Sequence, residues 1–332
     1  MKLAVALVAL SGLSAFSHAD TLPFGAASAY NLVALGSTNG SGSVVLAGNI
    51  STSADITGRV AAANMVTAGT TIGSSLNSDP YGYAATFDLI SNNGLNAGST
   101  FNINSHGNVY APGTNGSFNF NGGGHRVTSG GSGLDFEALR TTLTAETASL
   151  ASLVPNGVNL GTNAPGVINP SFYVLKGTSN TLNVFNITAV QLADTNHPID
   201  IEAPAGSTII VNVSGTDATV GTGIYYNGHQ NSGDSNANSN ILFNFPDALT
   251  VTVHGQFNAS MLAPYAFLSG NAQMGGTFIA AQIGQTGEVH NVEFTGNLTS
   301  IASTPEPGTF ALLGTGALSI AGMVRRRKSA KE

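Results

Sequence analysis

The chain has 332 residues, 42 of them glycine, with no cysteine and no tryptophan, and only 8% are charged; the missing cysteine excludes a disulfide framework and a thiolate metal site. Of the ten Lys and Arg, Lys2 and five residues after Val324 sit at the two ends, which leaves four basic residues in the body against fifteen acidic ones, a net −11. A body so poor in cations excludes nucleic acid as a partner, because phosphate binding needs clustered Lys and Arg.

In chain order, Lys2 precedes an apolar run over residues 3–16 and then Ser17-His18-Ala19. A positive start, a short apolar core and small residues at −3 and −1 form a secretory signal over residues 1–19. Cleavage by signal peptidase is expected between Ala19 and Asp20, with Asp20 opening the mature chain.

The body, residues 20–303, begins with short apolar runs at 30–36, 44–49, 56–62 and 65–69, separated by Gly, Asn, Ser and Thr. That pattern predicts short strands with frequent turns, in a sandwich or a β-solenoid. The many Ala and Gly within the runs favour the solenoid. The fold class expected is therefore mainly β: a β-solenoid with one amphipathic α-helix alongside, plus terminal hydrophobic targeting helices.

The helix is predicted near 134–153. Leu134, Leu139, Leu143, Leu150 and Leu153 recur at helical spacings, and Pro155-Asn156-Gly157 stops the run. Its leucine face is expected to lie along the β core. Strands resume at 171–175, 181–187, 207–213, 241–245 and 249–254. Ala259-Ser260-Met261-Leu262-Ala263-Pro264 aligns with Gly276-Thr277-Phe278-Ile279-Ala280-Ala281 at an offset of 17, the size of one solenoid turn.

Catalytic constellations are sparse. No histidines take HxH or HExxH spacing, and there is no GxSxG elbow and no phosphate loop. Glu288 and His290 share a strand face, as an acid/base pair or as a structural hydrogen bond at a turn corner. Asp200/Glu202 and Glu288/Glu293 are the acidic pairs close in sequence. Asp234, Asn236 and Asn238 place oxygens at alternate positions, as Ca²⁺ requires, but the glycine and closing Glu of an EF-hand are absent. A polar surface loop is the competing reading. No other cofactor and no enzyme activity are expected.

At the far end Thr304-Pro305-Glu306-Pro307 precedes residues 308–324, which carry no charge, and then Arg325-Arg326-Arg327-Lys328. Seventeen residues is the short limit for a membrane span, and the basic cluster would stay cytoplasmic. A C-terminal anchor with the body outside is predicted.

The tail, 304–332, resembles the PEP-CTERM sorting signal of Gram-negative bacteria. The resemblance implies that Pro305, Glu306 and Pro307 are recognised by an exosortase, a membrane transpeptidase. Arg325, Arg326 and Arg327 would form the cytoplasmic stop, and inner-membrane anchoring would be transient. The body resembles the choice-of-anchor A domain, whose members end in different surface anchors. That likeness rests on Ile56-Thr57-Gly58-Arg59-Val60-Ala61-Ala62, the Leu-rich helix, Ser207-Thr208-Ile209-Ile210-Val211-Asn212-Val213-Ser214-Gly215, Ile241-Leu242-Phe243-Asn244-Phe245-Pro246-Asp247-Ala248, Leu262-Ala263-Pro264, Gly276-Thr277-Phe278-Ile279-Ala280 and Gly287-Glu288-Val289-His290-Asn291. In strand–helix–strand order it is also loosely similar to bacterial ice-binding adhesive domains, a likeness of fold alone. The expected function is that of an exported cell-surface or matrix protein, structural or adhesive. The alternatives are an ice- or glycan-binding adhesin and a polysaccharide-acting enzyme. Expected partners are signal peptidase and exosortase during export, then extracellular polysaccharide or another surface.

Overall fold

The structure, a computed structural model, describes residues 22–38, 43–67, 69–76, 87–113, 115–231, 235–285 and 287–298. Residues 1–19, where an export signal is expected, the expected sorting tail 304–332 and its apolar segment 308–324 lie outside the described residues. No helix among the described residues is long and apolar enough to cross a membrane.

The short runs form parallel strands that stack into three sheets. The first orders them as Arg126–Val127, Asn108–Tyr110, Phe87–Ser91, Val60–Ala62, Leu32–Ala34, Phe278–Gln285, Ser260–Gly270, Ile241–Asn244, Thr208–Ser214 and Leu182–Thr188. These strands are apolar on both faces because both are covered: Leu32 and Val60 point into the core, Val33 and Ala61 point under a helix. The second sheet runs from Asp217–Val220 through Thr250–Val253 and the distal halves of Ser260–Gly270 and Phe278–Gln285 to Ile50–Thr52 and Val66–Thr67. Its strands alternate, with Val251 and Val253 inside and Thr250 and Thr252 outside. The third joins Ser117–Phe120, Thr100–Ile103 and Thr71–Ile72 to Val289–His290, Met274–Gly275 and Phe257–Asn258 through bridges at Ile56. It continues to Ile224–Tyr226, Ile199–Glu202 and Tyr173–Lys176, since Ile224 N donates to Gln256 O at 3.3 Å. Inward side chains from all three sheets form one apolar cluster.

Sequence order and stacking order differ at the centre. Leu32 pairs with Phe278 and Ala34 with Ala280, so the last turns of the chain sit on the first. The turn offset of 17 appears directly in the register Met261↔Phe278 and Ala263↔Ala280. The chain builds outward from this centre to Val127, crosses to the opposite end of the stack, and builds back. Ten strands span roughly 43 Å, and the 16-residue helix α1, Phe136–Ala151, supplies about 24 Å of the crossing. The extended segments on either side supply the rest.

Asp135 caps α1, accepting from Ala138 N at 3.0 Å. Leu143 and Leu150 are fully buried on the first sheet, flanked by Leu134, Leu139 and Leu153. Residues 291–298 then run across the stack as a strap. Asn291 N donates to Thr57 Oγ1 (2.7 Å), Phe294 N to Thr277 Oγ1 (3.3 Å), Thr295 N to Ser239 O (2.8 Å) and Asn297 N to Thr208 Oγ1 (2.8 Å). Phe294 packs on Phe24 with ring centroids 5.4 Å apart, so both described ends of the chain meet on the same flank.

Three local expectations change. The run at 44–49 is no core strand: Val44–Leu46 folds back antiparallel on Ser37–Thr38, leaving Val44 70% exposed. The run at 56–62 divides at a corner, with Ile56 in the third sheet and Val60–Ala62 in the first. A second, short helix α2, Ala189–Leu192, follows the strand ending at Thr188, fixed by a Thr188–Gln191 capping box.

Candidate adhesive surface

The three outer faces differ in what remains free. The first is occupied by α1 and the strap. On the third, polar side chains bond to one another along the stack: Asn119 Nδ2 to Asn102 Oδ1 (2.9 Å), Asn121 Nδ2 to Asn104 Oδ1 (2.6 Å), and Ser117 with Thr100 (2.8 Å). Those ladders tie part of the polar groups of that face to one another.

The second sheet is different. Its register aligns Thr219, Thr252, Ser269, Gly284, Ser51 and Thr67 in one outward column. Neighbouring positions stand about 4.8 Å apart, so the column runs about 24 Å. All six are half-buried or exposed. Thr252 and Ser269 approach at 3.4 Å, and Thr67 Oγ1 reaches Ile50 O at 3.5 Å, both at the outer limit of hydrogen bonding. Five hydroxyls, interrupted at Gly284 where the Phe267 ring lies against the sheet, are thus presented to an outside partner. The column beside it is mixed: Asp217, Thr250, Phe267 and Gln282.

At the corner of the first and second sheets lies an open cleft of about 690 Å³ beside α1, lined by Tyr265, Leu249, Pro246, Asp247 and Thr216 among others. The register explains Tyr265. Ala263 faces Ala280 and Phe267 faces Gln282, so three residues stand opposite Ala281 alone. The surplus bulges outward and presents the Tyr265 ring, 42% exposed.

The acidic pairs lie elsewhere. Asp200 and Glu202 are buried on the third sheet under the segment 161–170. Asp200 accepts from Gly228 N (3.0 Å) and Asn169 Nδ2 (3.2 Å); Glu202 pairs with Lys176 Nζ (3.1 Å) and accepts from Ile168 N. Burial pushes the Asp200 carboxyl above its usual range, with Glu202 adding to the effect and the two hydrogen bonds opposing it. Glu288 Oε2 lies 3.8 Å from the buried His290 Nε2, and Glu293 is buried.

Of the calcium candidates, Asp234 lies outside the described residues. Asn236 and Asn238 fall in a single 3₁₀ turn. Asn238 is turned inward, giving Nδ2 to Asn258 O (2.7 Å) and accepting from Asn231 Nδ2 (2.6 Å). Among the described residues no three His, Cys, Asp or Glu side chains converge as metal ligands. Ala19, Asp20, Pro305, Glu306, Pro307, Arg325, Arg326 and Arg327 lie outside the described residues. The hydroxyl column was not read from sequence. Its six members come from six separate strands, and Thr250-Val251-Thr252 is the one visible hint.

Two family models match. Residues 23–291 match the ice-binding-like adhesive domain, and residues 303–328 match the PEP-CTERM protein-sorting motif. Neither the curated proteins nor the solved structures give a match.

Proposed function

Because the chain belongs to the ice-binding-like adhesive domain family, we propose that it is an exported adhesive protein that binds a hydrated surface or matrix polymer through its second sheet. The carrying observation is the column from Thr219 to Thr67, five hydroxyls in register on either side of Gly284 and largely unbonded within the protein. The sorting motif implies export to the envelope or surface of a Gram-negative cell and processing by an exosortase. Pro305, Glu306 and Pro307 are its recognition triad in this reading, and residues 308–324 its transient anchor. In this reading the stack is a β-solenoid of the choice-of-anchor A type, a reading supported by the long parallel register of its sheets.

A long rigid face suits adhesion, since many weak contacts on a preorganised surface add without an ordering cost. The mixed second column, with Asp217 and Phe267 among its members, favours a polymer or glycan over the repeating lattice of ice. The reading is of binding rather than catalysis: the Asp200–Glu202 pair is buried and committed to its own neighbours, away from the open cleft.

The test is adhesion of cells carrying the full chain with Thr252→Lys and Ser269→Lys together. Attachment and aggregation should fall while surface abundance is unchanged. Undiminished attachment removes the second sheet as the adhesive face.

A further inference from the structure

The Tyr265 cleft is built for a particular chemistry. It pairs a bulge-presented aromatic ring and the apolar surfaces of Leu249 and Pro246 with the carboxylate of Asp247 and the hydroxyl of Thr216. Leu249, 58% exposed, and Tyr265, 42% exposed, lie together in the cleft lining and give it an apolar side. Asp217, one turn away, is engaged by Thr216 and by Thr250 Oγ1 at 2.7 Å. Asp247 is exposed and makes no hydrogen bond or ion pair with any described residue. An amphipathic ring beside a free carboxylate matches a ligand with one apolar face and a rim of hydroxyl donors, which is a pyranose.

Charge narrows the class. The body has four cations, and each is engaged. Arg59 pairs with Asp88 at 3.0 Å, and Arg140 pairs with Glu137. Lys176 pairs with Glu202, and Arg126 is spent on the carbonyls of Ala111, Gly113 and Asn115. None lines the cleft. A uronate, sulfate or phosphate would meet Asp247 with no counter-charge, in a body of net −11.

We propose that the Tyr265 cleft binds a sugar residue of a neutral polysaccharide, with Tyr265 stacking on the ring face and Asp247 accepting from its hydroxyls. The cleft opens at the edge of the second sheet, so a bound chain continues along the column through Thr250 and Phe267. This rests on the adhesive reading and names its ligand class.

Affinity electrophoresis of the full chain in gels containing hydroxyethylcellulose, galactomannan, pullulan or carboxymethylcellulose tests it. Retardation is expected in at least one neutral polymer and not in the anionic one. Tyr265→Ala should weaken it about tenfold, and Asp247→Asn should weaken it less. Both residues are exposed, and unchanged melting confirms that the variants fold. Retardation untouched by Tyr265→Ala but lost in the Thr252→Lys, Ser269→Lys variant overturns the cleft and leaves the adhesive face standing. Retardation only in carboxymethylcellulose, or in none of the four while cells still adhere, overturns the neutral-glycan assignment alone.

Discussion

Thr147 and Asn244 bind each other twice: the Thr147 hydroxyl donates to Asn244 Oδ1, and Asn244 Nδ2 donates to Thr147 O at 2.9 Å. Asn244 Nδ2 also reaches Asn212 Oδ1 at 2.8 Å, while Asn212 Nδ2 reaches Leu150 O at 2.9 Å. A buried amide ladder on the first sheet thus holds the C-terminal half of α1. Asn244→Ala should cost about 2 kcal/mol, since it strands the buried partners as well as removing the bonds. Urea unfolding measures this, and a midpoint within error of the parent refutes the ladder's role.

That ladder shows where the sequence stops being informative. The leucine spacing of α1 and the strand-sized runs were legible, because periodicity reports local burial. The 17-residue offset was legible too, because two adjacent turns happen to share length and pattern. Stacking order was not. Nothing local in Leu32 or Phe278 announces that they are partners, and the asparagines at 186, 212 and 244 align only once turns of unequal length are stacked. The same limit hid the hydroxyl column, whose Ser51 and Thr67 precede Thr219 by more than 150 residues. Tyr265 was hidden for another reason: a bulge is a mismatch between two strands, and a single strand does not display it.

The central junction is the point where the first and last turns must agree. Asn31 Nδ2 reaches Gly276 O (3.0 Å) and His290 O (3.2 Å), tying residues 245 and 259 positions apart. The corner at Gly58 lies against this side chain, and a methyl there would overlap Asn31 Oδ1 and crowd Asn291. Gly58→Ala should therefore destabilise by about 2 kcal/mol or more through overpacking. Hydrogen exchange should show faster opening at residues 32–34 and 278–280 first. Protection unchanged there contradicts the junction as the site of strain.

Asp200 makes stability depend on pH in an uncommon direction for a carboxylate. Its folded pKa is raised above the ordinary 3.8, chiefly by burial. The native state therefore holds the proton more tightly than the unfolded one. The associated stability is fully present below the ordinary value and is lost as pH rises through the raised one. Asp200→Asn removes the titration and keeps an acceptor for Gly228 N. Its melting temperature should fall less than the parent's as pH rises from the ordinary carboxylate range toward neutrality. Parallel curves for the two proteins would show that Asp200 carries no such linkage.

The strap sets where the chain leaves the domain. Asn297 is tied to the Thr208 turn, and Phe294 to Phe24, so the chain leaves the stack from the α1 flank rather than from either end. The strap's contacts lie on the first sheet and the flank of α1, and none of them uses the outward column of the second sheet. Removal of the tail should accordingly leave the fold intact. Mass spectrometry of the released protein should show a chain that begins at Asp20 and lacks the apolar segment and Arg325–Arg327. Its melting temperature should match that of the unprocessed chain. Glu306→Ala should leave the tail in place by disabling the recognition triad. A released chain still ending at Glu332, or processing unaffected by Glu306→Ala, would contradict the assignment of Pro305, Glu306 and Pro307.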